Sequence, residues 1–113
     1  MAKNARTLND LFEDTLKDIF YAESKILKAL PKMAKAAHSD ELRRAFLKHL
    51  KETEGQVSRL EKVFKLVDVP PRGKKCDAIE GILAEGAEIM KEFKGSPALD
   101  AGLVSAAQRF SVP

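Results

Sequence analysis

Apolar residues recur at steps of three and four along the first third of the chain, and this spacing constrains the fold most. The apolar positions begin at Leu8 and Phe12, continue through Ile19 and Ile26, and reach Met33. Because an α-helix has about 3.6 residues per turn, these steps place the side chains on one face of a helix. No four-residue stretch alternates cleanly between apolar and polar residues, so no strand is predicted.

Capping residues predict where the two long helices begin. Thr7, followed three residues later by Asp10, has the spacing of a capping box and predicts the start of the first helix. Pro31 predicts a kink or a split in that helix, because it lacks a backbone donor. A turn at residues 38–40 follows, and Ser39 or the aspartate after it caps the second helix. Because the turn is short, the two helices are predicted to be antiparallel neighbours.

Breaker residues delimit two shorter helices. The Pro-Pro-Arg-Gly segment at residues 70–73 ends the second helix. A third helix is predicted over residues 77–93. After the loop at residues 95–97, a last helix is predicted over residues 98–109, with Ser96 as its cap.

Composition and charge exclude several classes of protein. Hydrophobic residues make up 44% of the 113 residues and charged residues 33%, which suits one small domain with a core. The net charge is only +3, and no block of about five like charges occurs, so no nucleic-acid partner is predicted. No apolar run reaches the roughly 18 residues of a membrane span. No signal-peptide pattern is visible and Cys76 is the single cysteine, so a cytoplasmic protein is predicted.

Several polar side chains fall within the apolar stripes. On the first helix, Glu23 lies roughly 40° from Ile19 around the helix axis, whereas the other acids of that helix turn toward solvent. On the second helix, His49 and Gln56 lie near the middle of the stripe and Glu52 lies at its edge. These three residues are separated by three and four positions, which places them on one helical face.

Two interpretations of this pattern are open. A buried carboxylate is costly without a partner, so Glu23 requires a cation, a metal or a proton. An acid facing an acid and a histidine from the next helix is typical of a carboxylate-bridged metal site in a helical bundle. A Glu23–His49 pair without a metal would give the same pattern, and Glu52 at a surface edge would need no partner.

Six segments of the chain resemble the YciE/YciF family of stress proteins. The resemblance extends over residues 7–109 and implies an all-α fold, a ferritin-like antiparallel helical bundle. Here the bundle would have two long helices, a short crossover helix and the start of the third bundle helix, in a single but incomplete domain over residues 1–113. The matching segments are residues 7–12, 18–23, 49–56, 59–61, 75–82 and 100–109.

The resemblance also implies a di-metal site for iron or manganese. It assigns Glu23 and Glu52 as ligands, places Gln56 where relatives carry Gln or His, and makes His49 a ligand or the partner of one. In the family, further ligands come from a Glu-His-Tyr-Glu segment and from another helix. This chain instead reads Phe-Ser-Val-Pro at residues 110–113, so only half of the site is expected.

Two functions are therefore open. The first is a ferritin-like stress-response protein that carries half of a di-metal site. The second is a non-enzymatic helical module that forms a homodimer or higher oligomer through the apolar faces of its helices.

Overall fold

The computed structural model describes residues 7–111, and within that range it contains helices and no strands. The all-α prediction is confirmed. The elements in chain order are α1 (Leu8–Ala36), α2 (Asp40–Leu66), α3 (Asp77–Glu92), α4 (Leu99–Gln108) and a 3₁₀ turn (Arg109–Ser111). No helix within residues 7–111 is both long enough and apolar enough to cross a bilayer.

Helix α1 begins at the predicted capping box. The Thr7 hydroxyl accepts a hydrogen bond from the Asp10 amide at 3.1 Å, and the Asp10 carboxylate accepts one from the Thr7 amide at 2.9 Å. The helix then continues through Pro31 without a break, so the alternative of a split helix is wrong. Pro31 is exposed, whereas Leu30 and Met33 beside it are buried, and we attribute the continuity to this packing.

The α1–α2 turn is fixed by side chains of α2. Ser39 caps α2, as predicted, because its hydroxyl accepts a hydrogen bond from the Leu42 amide at 3.2 Å. The Arg43 guanidinium donates to the carbonyl oxygens of Ala34 at 3.3 Å and Ala37 at 2.8 Å. These are carbonyls at the end of α1, which an α-helix leaves without intrahelical partners.

Helices α1 and α2 form an antiparallel hairpin. Far from the turn, the rings of Phe20 and Phe64 meet edge to face, with centroids 5.2 Å apart. The main core lies at the other end, near the turn, where α3 and α4 pack on the hairpin. Its most buried side chains include Ile26, Leu30, Met33, Phe46, Ile79, Leu99 and Leu103.

Helix α4 starts later than predicted. Residues 97–98 form a turn, and α4 begins at Leu99 without a side-chain cap. The Ser96 hydroxyl accepts a hydrogen bond from the Ala98 amide at 3.0 Å, so it stabilises this turn. The predicted capping role of Ser96 is therefore wrong.

An aspartate of α4 ties that helix to the α1–α2 turn. The two carboxylate oxygens of Asp100 accept hydrogen bonds from the amides of His38 and Ser39, both at 2.8 Å. The His38 amide is the main cause that lowers the pKa of Asp100, and the Ser39 amide adds to the effect. The charged form of Asp100 therefore holds α4 in place.

Candidate functional site

Glu23 projects from the middle of α1 toward α2 and is half-buried. Its Oε1 atom is buried and accepts no hydrogen bond from any described residue. Burial raises the pKa of the Glu23 carboxyl, and the nearby charge of His49 partly opposes this shift. A fully buried acceptor without a partner costs about 1–3 kcal/mol. Glu23 therefore occupies a position that is unfavourable for the isolated helical hairpin.

The structure places His49 near Glu23, on α2, without an ion pair between them in the described range. His49 is half-buried and lines a depression of about 440 Å³ between α2 and α4. Thr53, one turn later, is fully buried, and its hydroxyl donates to the His49 carbonyl oxygen at 2.8 Å. Thr53 is thus satisfied by its own helix.

Glu23 and Gln56 meet in a cleft of about 470 Å³ between α1 and α2. Gln56 is exposed, although it was predicted near the middle of an apolar stripe. The stripe is open here because, among the described elements, only α1 contributes the facing wall of the cleft. The other lining residues are Ile19, Arg59, Leu60 and Val63.

Glu52 lies outside this cleft. Its side chain is exposed, in keeping with its predicted place at the edge of the stripe. The structure therefore brings Glu23 and Gln56 together, keeps His49 close by, and leaves Glu52 on the surface.

The residues present fit a metal ion only in part. A half-buried carboxylate with an unpartnered oxygen is a suitable anionic ligand, and an amide oxygen or imidazole can complete a coordination sphere. Within residues 7–111, however, no three His, Cys, Asp or Glu side chains lie close enough to hold a metal ion together. The described residues of the cleft therefore do not by themselves supply the donors that a metal ion needs.

Arg59 was not predicted to line the cleft, although helical periodicity accounts for its position. Arg59 lies three positions after Gln56 and therefore shares its face of α2. Arg59 also lines the cleft, and its side chain is exposed.

A tyrosine–glutamate contact between α1 and α3 was also missed, because periodicity within one helix does not show which helix faces it. The Tyr21 hydroxyl donates a hydrogen bond to the Glu80 carboxylate. This bond is the main cause that raises the pKa of Tyr21 to about 12 and lowers that of Glu80. The contact lies on the other side of α1 from the Glu23 cleft.

Comparison with known proteins identifies relatives that match the chain over nearly its whole length. The family described as a domain of unknown function (DUF892) matches residues 7–112. Protein YciF of Escherichia coli K12 is 35% identical over 107 residues, which covers 94% of this chain and 64% of YciF. The chain therefore spans just under two thirds of the length of that relative.

Two solved structures have the same arrangement of helices. The crystal structure of the E. coli stress protein YciF matches with a TM-score of 0.85 and 34% identity, over 94% of this chain and 67% of YciF. YcfI of Rhodopseudomonas palustris matches with a TM-score of 0.88 and 39% identity, over 96% of this chain and 69% of YcfI. The helical-bundle fold and the predicted relationship are thereby confirmed, and the chain belongs to the DUF892 family, together with YciF.

Proposed function

We propose that this chain is a cytoplasmic stress-response protein whose Glu23 cleft is half of an iron or manganese di-metal site. The observation that carries this proposal is the buried Oε1 atom of Glu23, which has no partner among the described residues. Burial without a partner is costly, so a cation that pairs with this oxygen would recover the lost free energy. The relationship to a protein described as a stress protein supports the physiological setting.

The residues around the cleft have distinct parts in this proposal. Glu23 supplies the anionic ligand, and Gln56 supplies a neutral amide oxygen from the opposite wall. His49 and Glu52 contribute the imidazole and the second carboxylate if their side chains turn toward the cleft. Iron or manganese bound here would supply redox chemistry with peroxide or oxygen.

The other cleft residues set the environment of the ligands. The side chains of Ile19, Leu60 and Val63 are apolar and limit the access of water to Glu23. Arg59 carries a positive charge at the exposed rim of the cleft, which favours the approach of an anionic reactant. A second copy of the chain, with its own cleft, is a source of the donors that one copy lacks.

The alternative function, an oligomerising helical module without enzymatic activity, also rests on a specific observation. Large apolar side chains are exposed at the end of the hairpin away from the turn, including Leu8 at 81% and Leu66 at 84%. Exposed apolar surface of this kind favours association with a second copy. In this alternative, the homodimer or higher oligomer forms whether or not a metal is present.

One experiment separates the two functions. We would add ferrous iron or manganese to the purified chain and measure the metal content and mass of each size-exclusion peak. We expect metal in a dimeric or larger peak, lost in Glu23→Gln and retained in Glu54→Gln, a matched exposed glutamate on α2. A metal-free oligomer would support the alternative and contradict the metal proposal, as would equal metal binding by both variants.

A further inference from the structure

A second concave surface, the α1–α3 groove, lies on another face of α1 and shares no lining residue with the Glu23 cleft. Its volume is about 360 Å³. The α1 wall carries Lys25, Lys28 and Lys32, which are spaced by three and four residues and so follow one helical face. The α3 wall is apolar and consists mainly of Leu83, Ala84, Ala87 and Met90.

Charge within the α1–α3 groove is unbalanced. Glu80 is the only acidic side chain among the described residues that line it. Glu80 already accepts a hydrogen bond from Tyr21, and the Lys25 ammonium lies 3.7 Å from its carboxylate. Lys28 and Lys32 have no carboxylate within ion-pair distance in the described range. The groove therefore presents two available ammonium groups beside an apolar wall.

We propose that the α1–α3 groove binds a free anionic amphiphile, with its carboxylate between Lys28 and Lys32 and its acyl chain along α3. Two side chains four residues apart on a helix are about 6 Å apart at Cβ, so one carboxylate can reach both ammonium groups. The small side chains of Ala84 and Ala87 leave room for a chain to lie against α3. Small-molecule sites commonly combine an apolar lining with a few polar groups and have volumes of about 300–1,000 Å³.

Other classes of ligand would use only one of the two walls of the groove. A polyanion such as a nucleic acid would use the lysines and leave the apolar α3 wall without a role. A neutral hydrocarbon would use the α3 wall and leave Lys28 and Lys32 without partners. An amphiphilic carboxylate uses both walls.

The chain contains a natural reporter for this groove. Tyr21 is its only tyrosine, and tryptophan is absent, so the tyrosine fluorescence comes from a single phenol ring whose hydroxyl contacts Glu80. The Lys25 ammonium also lies 5.4 Å from the centre of the Tyr21 ring. A ligand that displaces Lys25 or disturbs Glu80 will change this fluorescence.

The test is a titration of the intact chain with dodecanoate below its micellar concentration, followed by Tyr21 fluorescence. We expect a saturable change, and an affinity for dodecanol that is lower by about tenfold or more because the alcohol lacks the charge. The same titration is followed by calorimetry, which also detects a ligand that leaves Tyr21 undisturbed, and absence of saturable binding by both methods would overturn the proposal. Equal affinities for the two probes would also overturn it, because they would indicate adsorption to apolar surface alone.

Charge-reversal variants locate the binding site. The double variant K28E/K32E should lose about tenfold or more in affinity for dodecanoate. The matched control K48E/K62E changes two exposed lysines of α2 and should retain the affinity. Equal losses in both double variants would overturn the proposal, because they would indicate attraction to net charge without a site.

Two further variants keep the test decisive. Ala87→Leu fills the α3 wall without a change of charge, so it should weaken binding even if K28E/K32E fails to fold. Unchanged binding by folded Ala87→Leu would contradict the proposed position of the acyl chain. Glu23→Gln should leave dodecanoate binding intact, which makes this result independent of the metal proposal.

Discussion

Replacement of Glu23 by leucine should stabilise the metal-free chain. The buried Oε1 atom of Glu23 has no hydrogen-bond donor in the described range, and a fully buried acceptor of this kind costs about 1–3 kcal/mol. Because Glu23 is only half-buried, we discount the cost to about 1 kcal/mol. A leucine would instead contact Leu60 and Val63 across the cleft, so the free energy of unfolding should rise by about this amount.

The assay is urea unfolding followed by circular dichroism, with thermal unfolding as a second measure. In a domain of this size, about 1 kcal/mol corresponds to a Tm increase of about 4 °C. Glu54→Leu is the control, because this exposed residue should change stability by less than about 0.5 kcal/mol. Lower stability of Glu23→Leu than of the wild type at pH 7 would refute the reasoning, because it would show that Glu23 has a partner.

The pH dependence provides an independent check on the same variant. Burial raises the folded-state pKa of Glu23 above its unfolded-state value, so the folded chain loses stability as pH rises through this interval. Below the unfolded-state pKa of about 4.3, the carboxyl is protonated in both states and the charge-dependent cost is absent. The advantage of Glu23→Leu should therefore shrink in acid. An advantage that is independent of pH would indicate improved packing only.

Further substitutions test the packing of α4 and the helix propensity of α3, and they can be measured by the same urea assay. Leu103→Ala should cost about 2–5 kcal/mol, because Leu103 is fully buried in the core. Asp100→Ala should destabilise the chain at pH 7. This difference should diminish as pH falls through the lowered folded-state pKa of Asp100; a constant difference would contradict the assigned role of its charge. Gly102→Ala should cost about 1–3 kcal/mol, since an added Cβ would lie 2.7 Å from Ile89 Cγ2. Gly81→Ala, where no atom lies within 4 Å of the added Cβ, should instead stabilise α3 by about 1 kcal/mol.

Local signals in the sequence were sufficient to predict most of the fold. The capping box at Thr7 and the cap at Ser39 depend on residues three positions apart, so they can be recognised without knowledge of tertiary contacts. Pro31 and Ser96 were harder to interpret. Helix α1 continues through Pro31, whose neighbours Leu30 and Met33 are buried. The Ser96 hydroxyl stabilises a turn before α4 and does not cap the helix.

The candidate site was predictable only where one helix determines it. Helical periodicity predicted Glu23 on the buried side of α1, which faces α2. In the structure, Glu23 is half-buried on that side. Periodicity also placed Gln56 within the stripe of α2, but it does not show which element covers that part of the stripe. Among residues 7–111, the cleft beside Gln56 stays open, and its side chain is exposed.

The difference between Thr53 and Glu23 shows why a polar residue on an apolar face is not by itself evidence of function. Both residues lie on the facing sides of the hairpin, and Thr53 is the more deeply buried. Its hydroxyl bonds to the carbonyl oxygen of His49, so burial leaves no polar group of its side chain without a partner. The Glu23 carboxylate has no such local acceptor or donor, because a carboxylate accepts hydrogen bonds and the carbonyls of its own helix cannot donate them. The requirement for an external cation or proton therefore rests on Glu23 and does not extend to Thr53.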